Sequence, residues 1–217
     1  METVLIYYYL LIVFFVISIA IGHSNSIRFK YLKYLLIVTV IIESIGLYYL
    51  KILKDVAHWA FTIYHPIEFY LLATYFSYSF HNSKNKKVAI RLKYTIPLLI
   101  FTIGLASLKI NFPLWFNFLT SSIFIIFLSL SYLKELLFER INSSLTDNPD
   151  FFICIGILTF HSASFLVMGL VNYVYQSNPD LARQVYSINH ILNIIYYGLI
   201  TYAFYIQWKL TKSSLSS

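Results

Sequence analysis

The sequence predicts an all-α polytopic membrane protein, a bundle of seven transmembrane helices. Three observations predict it. Of the 217 residues, 59% are hydrophobic and only 12% are charged, whereas a soluble domain has about 25% charged residues. The apolar residues form seven runs, and a helix needs about 20 mostly apolar residues to cross a bilayer. Lysine and arginine are concentrated in every second connection between the runs, which is typical of membrane proteins.

The seven predicted spans follow one another in a single domain, 1–217, that ends in a short polar tail at 209–217. The first run is too long for the apolar core of a signal peptide, and no basic residue precedes it, so we expect it to remain a span. Cleavage at Ala20–Gly22 is the alternative. The approximate bounds of the spans are 4–22, 34–50, 56–80, 94–108, 112–133, 151–176 and 185–208.

The distribution of basic residues predicts an external N-terminus and a cytoplasmic C-terminus. The segments after spans one, three, five and seven hold 12 lysines and arginines, and the remaining connections hold 4. Basic residues accumulate on the cytoplasmic side of membrane proteins. We expect an integral protein of a plasma membrane, of the bacterial inner-membrane kind.

The connection 134–150 is the longest one. We expect its first part to continue span five as a cytoplasmic helix, with Glu135 and Glu139 four residues apart. Its last part, Asp147–Asp150, contains the Asn-Pro pair that is typical of a turn followed by a helix start.

Charge and cysteine content exclude several classes of protein. The formal net charge of +7 comes from basic residues in short connections. They do not form one nucleic-acid-binding face, so we expect no nucleic-acid partner. The single Cys154 cannot form an internal disulfide, and a cysteine-rich metal site is excluded.

The stretch 56–80 carries the strongest local signal for a functional site. It is long enough to cross a bilayer, yet it holds His65, Pro66 and Glu68 in its first half. An ionisable group at membrane depth costs about 2.5–3.5 kcal/mol on insertion scales, so it normally faces other helices or a water-filled cavity and marks function. His65 and Glu68 are three residues apart and share a helix face, and Pro66 is expected to kink the helix.

Other spans place polar side chains at a similar predicted depth. We expect a ligand-binding pocket in the outer half of the membrane, built from His65, Glu68, His161, His190, Glu43 and Asn193. Smaller polar residues occur in the same spans, namely Asn117, Thr120, Ser121, Ser122, Ser162, Ser164 and Asn189. Each of these residues also has a structural interpretation, because buried acids, histidines and hydroxyls can simply join neighbouring helices.

A short internal repeat supports an alternative function. Gly46-Leu47 recurs as Gly169-Leu170, and His65-x-x-Glu68 recurs as His190-x-x-Asn193, at offsets of 123 and 125 residues. A duplication of spans one to three as spans five to seven, around a linking fourth span, is the architecture that internal repeats give a carrier.

No family resemblance covers the chain. Seven spans with an external N-terminus resemble the microbial rhodopsins, but span seven has no lysine before Lys209. Intramembrane histidines with an acid are similar to the seven-span zinc amidohydrolases, whose last span carries two histidines four residues apart. Here Ile194 stands four residues after His190.

The leading hypothesis is a membrane binding module, a sensor or transducer that holds a small ligand, ion or lipid group. Its expected partners are membrane lipid and a signalling protein in the membrane or cytoplasm, because the sequence has no soluble catalytic domain. Two alternatives stay open: a small-substrate or proton-coupled carrier, and an intramembrane metal-dependent hydrolase. In the hydrolase, zinc or another divalent metal would be held by His65, Glu68, His161 and His190. The sequence identifies no other cofactor and no catalytic residue.

Overall fold

A computed structural model describes residues 2–21, 26–54, 57–110, 115–139 and 145–215. Within these ranges nearly all residues are helical and none is in a strand. A π-helical turn, Tyr49–Leu53, extends the second helix, and a 3-10 turn, Leu145–Asp147, precedes the sixth. The seven α-helices are α1 Glu2–Ile21, α2 Ile27–Tyr48, α3 His58–Ser79, α4 Ser83–Ile110, α5 Trp115–Glu139, α6 Pro149–Ser177 and α7 Pro179–Leu215.

The seven predicted helices are therefore present, and five of them are long and apolar enough to cross a membrane. These five are α1, α2, α4, α5 and α6. Neither α3 nor α7 reaches that apolar content. Seven spans and an external N-terminus stay predictions. The possible cleavage after Gly22, the connection 111–114 and Arg140 lie outside the described residues.

Several helices are longer than their apolar runs. α4 begins at Ser83 because its basic first turns continue the helix, and Lys84 N donates to Asn82 Oδ1 at 2.9 Å. Lysine and arginine are good helix formers, so a helix does not have to end where the apolar residues end. For the same reason α7 continues to Leu215, and residues 209–215 of the predicted polar tail are helical.

The predicted helical continuation of α5 and the predicted helix start at Asn148-Pro149 are confirmed, and the cytoplasmic location of this connection stays a prediction. α5 extends to Glu139, beyond the apolar run. Asn148 caps α6, because its side chain accepts a hydrogen bond from Asp150 N at 3.0 Å. Pro149 occupies the first turn of α6, where its missing N–H costs nothing.

The helices form two compact units. The terminal unit, Met1–Ser24 and Leu136–Ser217, contains α1, α6 and α7. The central unit, Asn25–Glu135, contains α2, α3, α4 and most of α5. This grouping does not follow the proposed repeat of spans one to three and five to seven, and it gives that repeat no support.

Helix α3 lies at the core of the central unit. Of its 22 residues, 14 are buried. It packs against α2 and α4, and the ring of Tyr132 in α5 contacts Phe76 and Phe80 at 6.0 and 5.4 Å between centroids. Because protein covers most of α3, it needs fewer apolar residues than a lipid-facing helix. The helix is continuous across Pro66, and the expected kink stays a prediction.

Candidate functional site

The structure brings His65 and Glu68 together on one face of α3. His65 Nδ1 lies 3.6 Å from Glu68 Oε2, which makes an ion pair when the imidazole is protonated. Glu68 is only 2% exposed. The shared face follows directly from the three-residue spacing, as predicted.

A hydrogen-bonded chain connects Glu68 to α2. Tyr64 OH donates to Glu68 Oε1 at 3.2 Å, and Thr39 Oγ1 lies 3.0 Å from the same phenol oxygen. Thr39 Oγ1 also lies 2.9 Å from Leu35 O, one turn earlier in α2. Sequence reasoning missed Tyr64 and Thr39. The four-residue spacing of Tyr64 and Glu68 was available as a signal, but the contact with Thr39 depends on helix packing.

The hydroxyl hydrogens of Thr39 and Tyr64 can be arranged to suit either a charged or a neutral Glu68. Three contacts share the two hydroxyl hydrogens of Thr39 and Tyr64. With Glu68 ionised, Tyr64 donates to the carboxylate, and Thr39 donates to Leu35 O or to Tyr64. With Glu68 protonated, the carboxyl donates to Tyr64, Tyr64 to Thr39, and Thr39 to Leu35 O. The donor direction through Tyr64 can therefore be reversed within the same contacts.

Helix α5 contributes buried polar atoms that have no partner. Asn117 and Ser121 are both 0% exposed, and their spacing of four residues places them on one face of α5. Neither atom of the Asn117 amide, nor the Ser121 hydroxyl, has a hydrogen-bond partner among the described residues. The ring of Phe118 contacts the ring of His65 at 5.8 Å between centroids, so this part of α5 adjoins the His65–Glu68 pair.

Gly104 of α4 completes the junction of three helices. A Cβ atom at Gly104 would lie 2.6 Å from Thr62 Cγ2 in α3 and 2.9 Å from Asn117 Nδ2 in α5. Thr62 lies one turn before His65, and its hydroxyl donates to His58 O at 3.1 Å. We call the group His65, Glu68, Asn117 and Ser121 the α3–α5 polar site.

The Glu68 carboxylate can carry a negative charge at this site, and the His65 imidazole carries a positive charge when it is protonated. The apolar segments 34–50, 56–80, 94–108 and 115–133 contain no lysine or arginine. Glu43, a predicted member of the pocket, is half-buried in α2 one turn after Thr39. Burial of an acid in a segment without basic residues is the arrangement that the sequence led us to expect.

The remaining predicted residues lie in the terminal unit. His161 of α6 is buried against the rings of Phe160 and Tyr196. His190 of α7 stacks on Tyr7 of α1 at 5.3 Å between ring centroids, and its Nδ1 atom is buried without a hydrogen-bond partner in the described part of the chain. Asn193 is buried in α7.

Polar pairs join the helices of the terminal unit. Ser164 Oγ of α6 donates to Asn189 Oδ1 of α7 at 2.6 Å. Ser18 of α1 and Thr201 of α7 are buried with their hydroxyl oxygens 3.1 Å apart. These contacts match the structural interpretation of small polar residues in membrane helices.

The predicted site residues thus divide between the two units. His65, Glu68 and Glu43 belong to the central unit, whereas His161, His190 and Asn193 belong to the terminal unit. The prediction that His65, Glu68 and His190 meet in one site stays a prediction. Across the described ranges, no three His, Cys, Asp or Glu side chains are close enough to hold one metal ion, so the metal-dependent alternative gains no support.

Glu135 of α5 has a role that the sequence did not predict. It is buried, and its Oε1 atom accepts hydrogen bonds from the backbone N–H groups of His81 and Asn82, the latter at 3.1 Å. Its Oε2 atom accepts from Asn85 Nδ2 at 3.5 Å. A carboxylate at this position satisfies N–H groups at the start of α4 and complements the helix dipole.

Comparison with protein-family models, curated proteins and solved structures finds no match to this chain. The α3–α5 polar site is therefore the feature of the protein that points to a function.

Proposed function

We propose that this protein is an integral membrane binding protein, a sensor or transducer, whose seven helices all cross the membrane. Its ligand is a small polar molecule that binds at the α3–α5 polar site. The N-terminus is external and the C-terminus cytoplasmic, which puts the site in the outer half of the membrane, near the start of α3 and α5.

The observation that carries this proposal is the set of unpartnered polar atoms on α5. Both polar atoms of the Asn117 amide and the Ser121 hydroxyl are buried without a hydrogen bond to any described residue. Leaving a buried donor or acceptor unpaired costs about 1–3 kcal/mol. A bound molecule with polar atoms of its own would supply the missing partners. Polar residues that only join helices are expected to be paired already, as Ser164 and Asn189 are.

The hydrogen-bonded chain offers a route from the ligand to a response. A ligand that changes the charge of Glu68 would reverse the donor direction through Tyr64 and Thr39, and so alter a contact between α3 and α2. We expect a partner protein, in the membrane or at the basic cytoplasmic connections, to respond to this altered contact between α3 and α2.

The proposed topology is tested with reporters. A reporter fused after Ser217 should be cytoplasmic, and one inserted between Lys109 and Pro113 should be external, because basic residues mark the cytoplasmic side. The reverse result at both positions would overturn the orientation and the outer location of the site.

The proposed binding function is tested by native mass spectrometry of the purified protein, with metal analysis of the same sample. We expect a small molecule bound to the wild type and to the control Asn189→Leu, and its loss from Asn117→Leu. Equal occupancy of the wild type and Asn117→Leu would place the ligand elsewhere, and absence of any bound molecule from the wild type would count against a resident ligand.

A further inference from the structure

We infer that the α3–α5 polar site takes a small organic cation, a protonated amine. The inference rests on the proposed function and adds the chemical class of the ligand. It depends on the charge of Glu68, on the hydrogen-bonding atoms around it, and on the aromatic rings beside His65.

The charge of Glu68 favours a cationic ligand. Glu68 is a buried carboxylate, and the apolar segments of α2, α3, α4 and α5 contain no lysine or arginine to neutralise it. His65, at 3.6 Å, is the nearby group that can carry a positive charge. With His65 neutral, the buried charge of Glu68 needs another cation, and a cationic ligand supplies it. A carboxylate or phosphate ligand would add a second negative charge beside Glu68.

The hydrogen-bond acceptors of the α3–α5 polar site also favour an ammonium group. An ammonium group has donors only. Glu68 Oε1 already accepts from Tyr64, whereas Oε2 lies 3.6 Å from His65 Nδ1, which is too far for a hydrogen bond. Asn117 Oδ1 and Ser121 Oγ are buried acceptors without a partner in the described residues. Glu68 Oε2, Asn117 Oδ1 and Ser121 Oγ are acceptors of the kind that an ammonium group needs, and Asn117 Nδ2 can donate to a second polar atom of the ligand.

The aromatic rings beside His65 favour an organic cation over a metal ion. The rings of Tyr64 and Phe118 flank His65, with centroid separations of 5.6 and 5.8 Å from its imidazole. Aromatic faces attract ammonium groups and also accommodate the carbon atoms attached to them. By contrast, the described residues contain no group of three metal ligands. The helices are closely packed at Gly104, where even a Cβ atom would meet Thr62 and Asn117.

The test uses three probes that share a two-carbon frame with one hydroxyl group and differ in charge: ethanolamine, ethylene glycol and glycolate. Putrescine and propylamine extend the amine series. Binding to the purified protein is measured by calorimetry and by the shift in melting temperature. We expect at least one amine to bind and to raise the melting temperature, and we expect ethylene glycol and glycolate to have no effect.

Variants locate the binding. Glu68→Gln keeps the shape but removes the charge, so amine affinity should fall by about tenfold or more. Asn117→Leu should cause a similar loss, and it decides the question if Glu68→Gln fails to fold. The control Asn189→Leu should bind as the wild type does.

The outcomes separate the two proposals. If glycolate or ethylene glycol binds in an Asn117-dependent way and no amine does, the ligand class is wrong and the proposed binding function stands. Amine binding that survives both Glu68→Gln and Asn117→Leu also overturns the inference. If no probe binds and no molecule co-purifies with the wild type, the inference and the proposed function are both wrong.

Discussion

Two sets of buried polar residues, one in each unit, differ in their hydrogen bonding. In the terminal unit, Ser164 pairs with Asn189 at 2.6 Å and Ser18 with Thr201 at 3.1 Å, so each residue has a partner on another helix. In the central unit, Asn117 and Ser121 are equally buried, but the described residues offer them no hydrogen-bond partner.

Residue type and burial do not explain this difference. Asn117 and Asn189 are the same amino acid, and both are buried in a helix. Pairing distinguishes them. A paired asparagine stabilises helix association, whereas an unpaired one carries a free-energy cost that only a ligand or water can remove. The predictions below test this distinction.

The largest effect is expected where a buried charge is fully paired. Glu135→Ala removes the acceptor for the backbone N–H groups of His81 and Asn82. We expect the free energy of unfolding to fall by about 2–3 kcal/mol, because charged hydrogen bonds are strong and the N–H groups are left unpaired. Chemical unfolding in detergent measures it.

The matched control for this prediction is Lys134→Ala, a neighbouring exposed residue of α5. Its effect should stay within about 0.5 kcal/mol. A Glu135→Ala variant as stable as Lys134→Ala would show that pairing of this carboxylate does not stabilise the central unit.

The next effect compares two glycines, one from each unit. A Cβ atom at Gly104 would lie 2.6 Å from Thr62 Cγ2, whereas a Cβ atom at Gly169 has no neighbour within 4 Å. Gly104→Ala should destabilise the protein by about 1–2 kcal/mol through overpacking. Gly169→Ala should be neutral or slightly stabilising, because alanine favours helix.

Thermal unfolding of both glycine variants provides the measurement. Gly104→Ala should also weaken ligand binding, since the new methyl group displaces Asn117. A Gly104→Ala variant with wild-type stability and binding would contradict the close junction of α3, α4 and α5.

A smaller effect is expected from the paired residues of the terminal unit. A double-mutant cycle of Ser164→Ala and Asn189→Leu should give a coupling energy of about 0.6 kcal/mol, the average for hydrogen bonds between membrane helices. Both single variants should retain binding at the α3–α5 polar site. A coupling energy of zero would mean that the 2.6 Å contact is not a stabilising pair.

Local features of the structure could be predicted from the sequence. The seven helices follow the apolar runs, and the start of α6 follows the Asn148-Pro149 pair. His65 and Glu68 share a face because their spacing matches the helical repeat. Each of these features depends on residues that are near one another in the chain.

Features that depend on packing could not be predicted. Thr39 contacts Tyr64, which lies 25 residues later in the sequence, and Glu135 binds the backbone N–H of His81, 54 residues earlier. Asn117 was recognised as a polar residue in a span, but its lack of a partner follows from the neighbours that α3 and α4 place around it. The low apolar content of α3 likewise has its explanation in the helices that cover it.

The most direct test of the central claim compares Asn117→Leu with Asn189→Leu in protein freed of bound ligand, by the free energy of unfolding in the same detergent. The account predicts that Asn117→Leu is as stable as the wild type or more stable, because leucine removes polar atoms that have no partner among the described residues. It predicts that Asn189→Leu loses about 1 kcal/mol, because Ser164 then has no acceptor. A loss from Asn117→Leu equal to or larger than that from Asn189→Leu would contradict the account, since Asn117 would then be a structural residue.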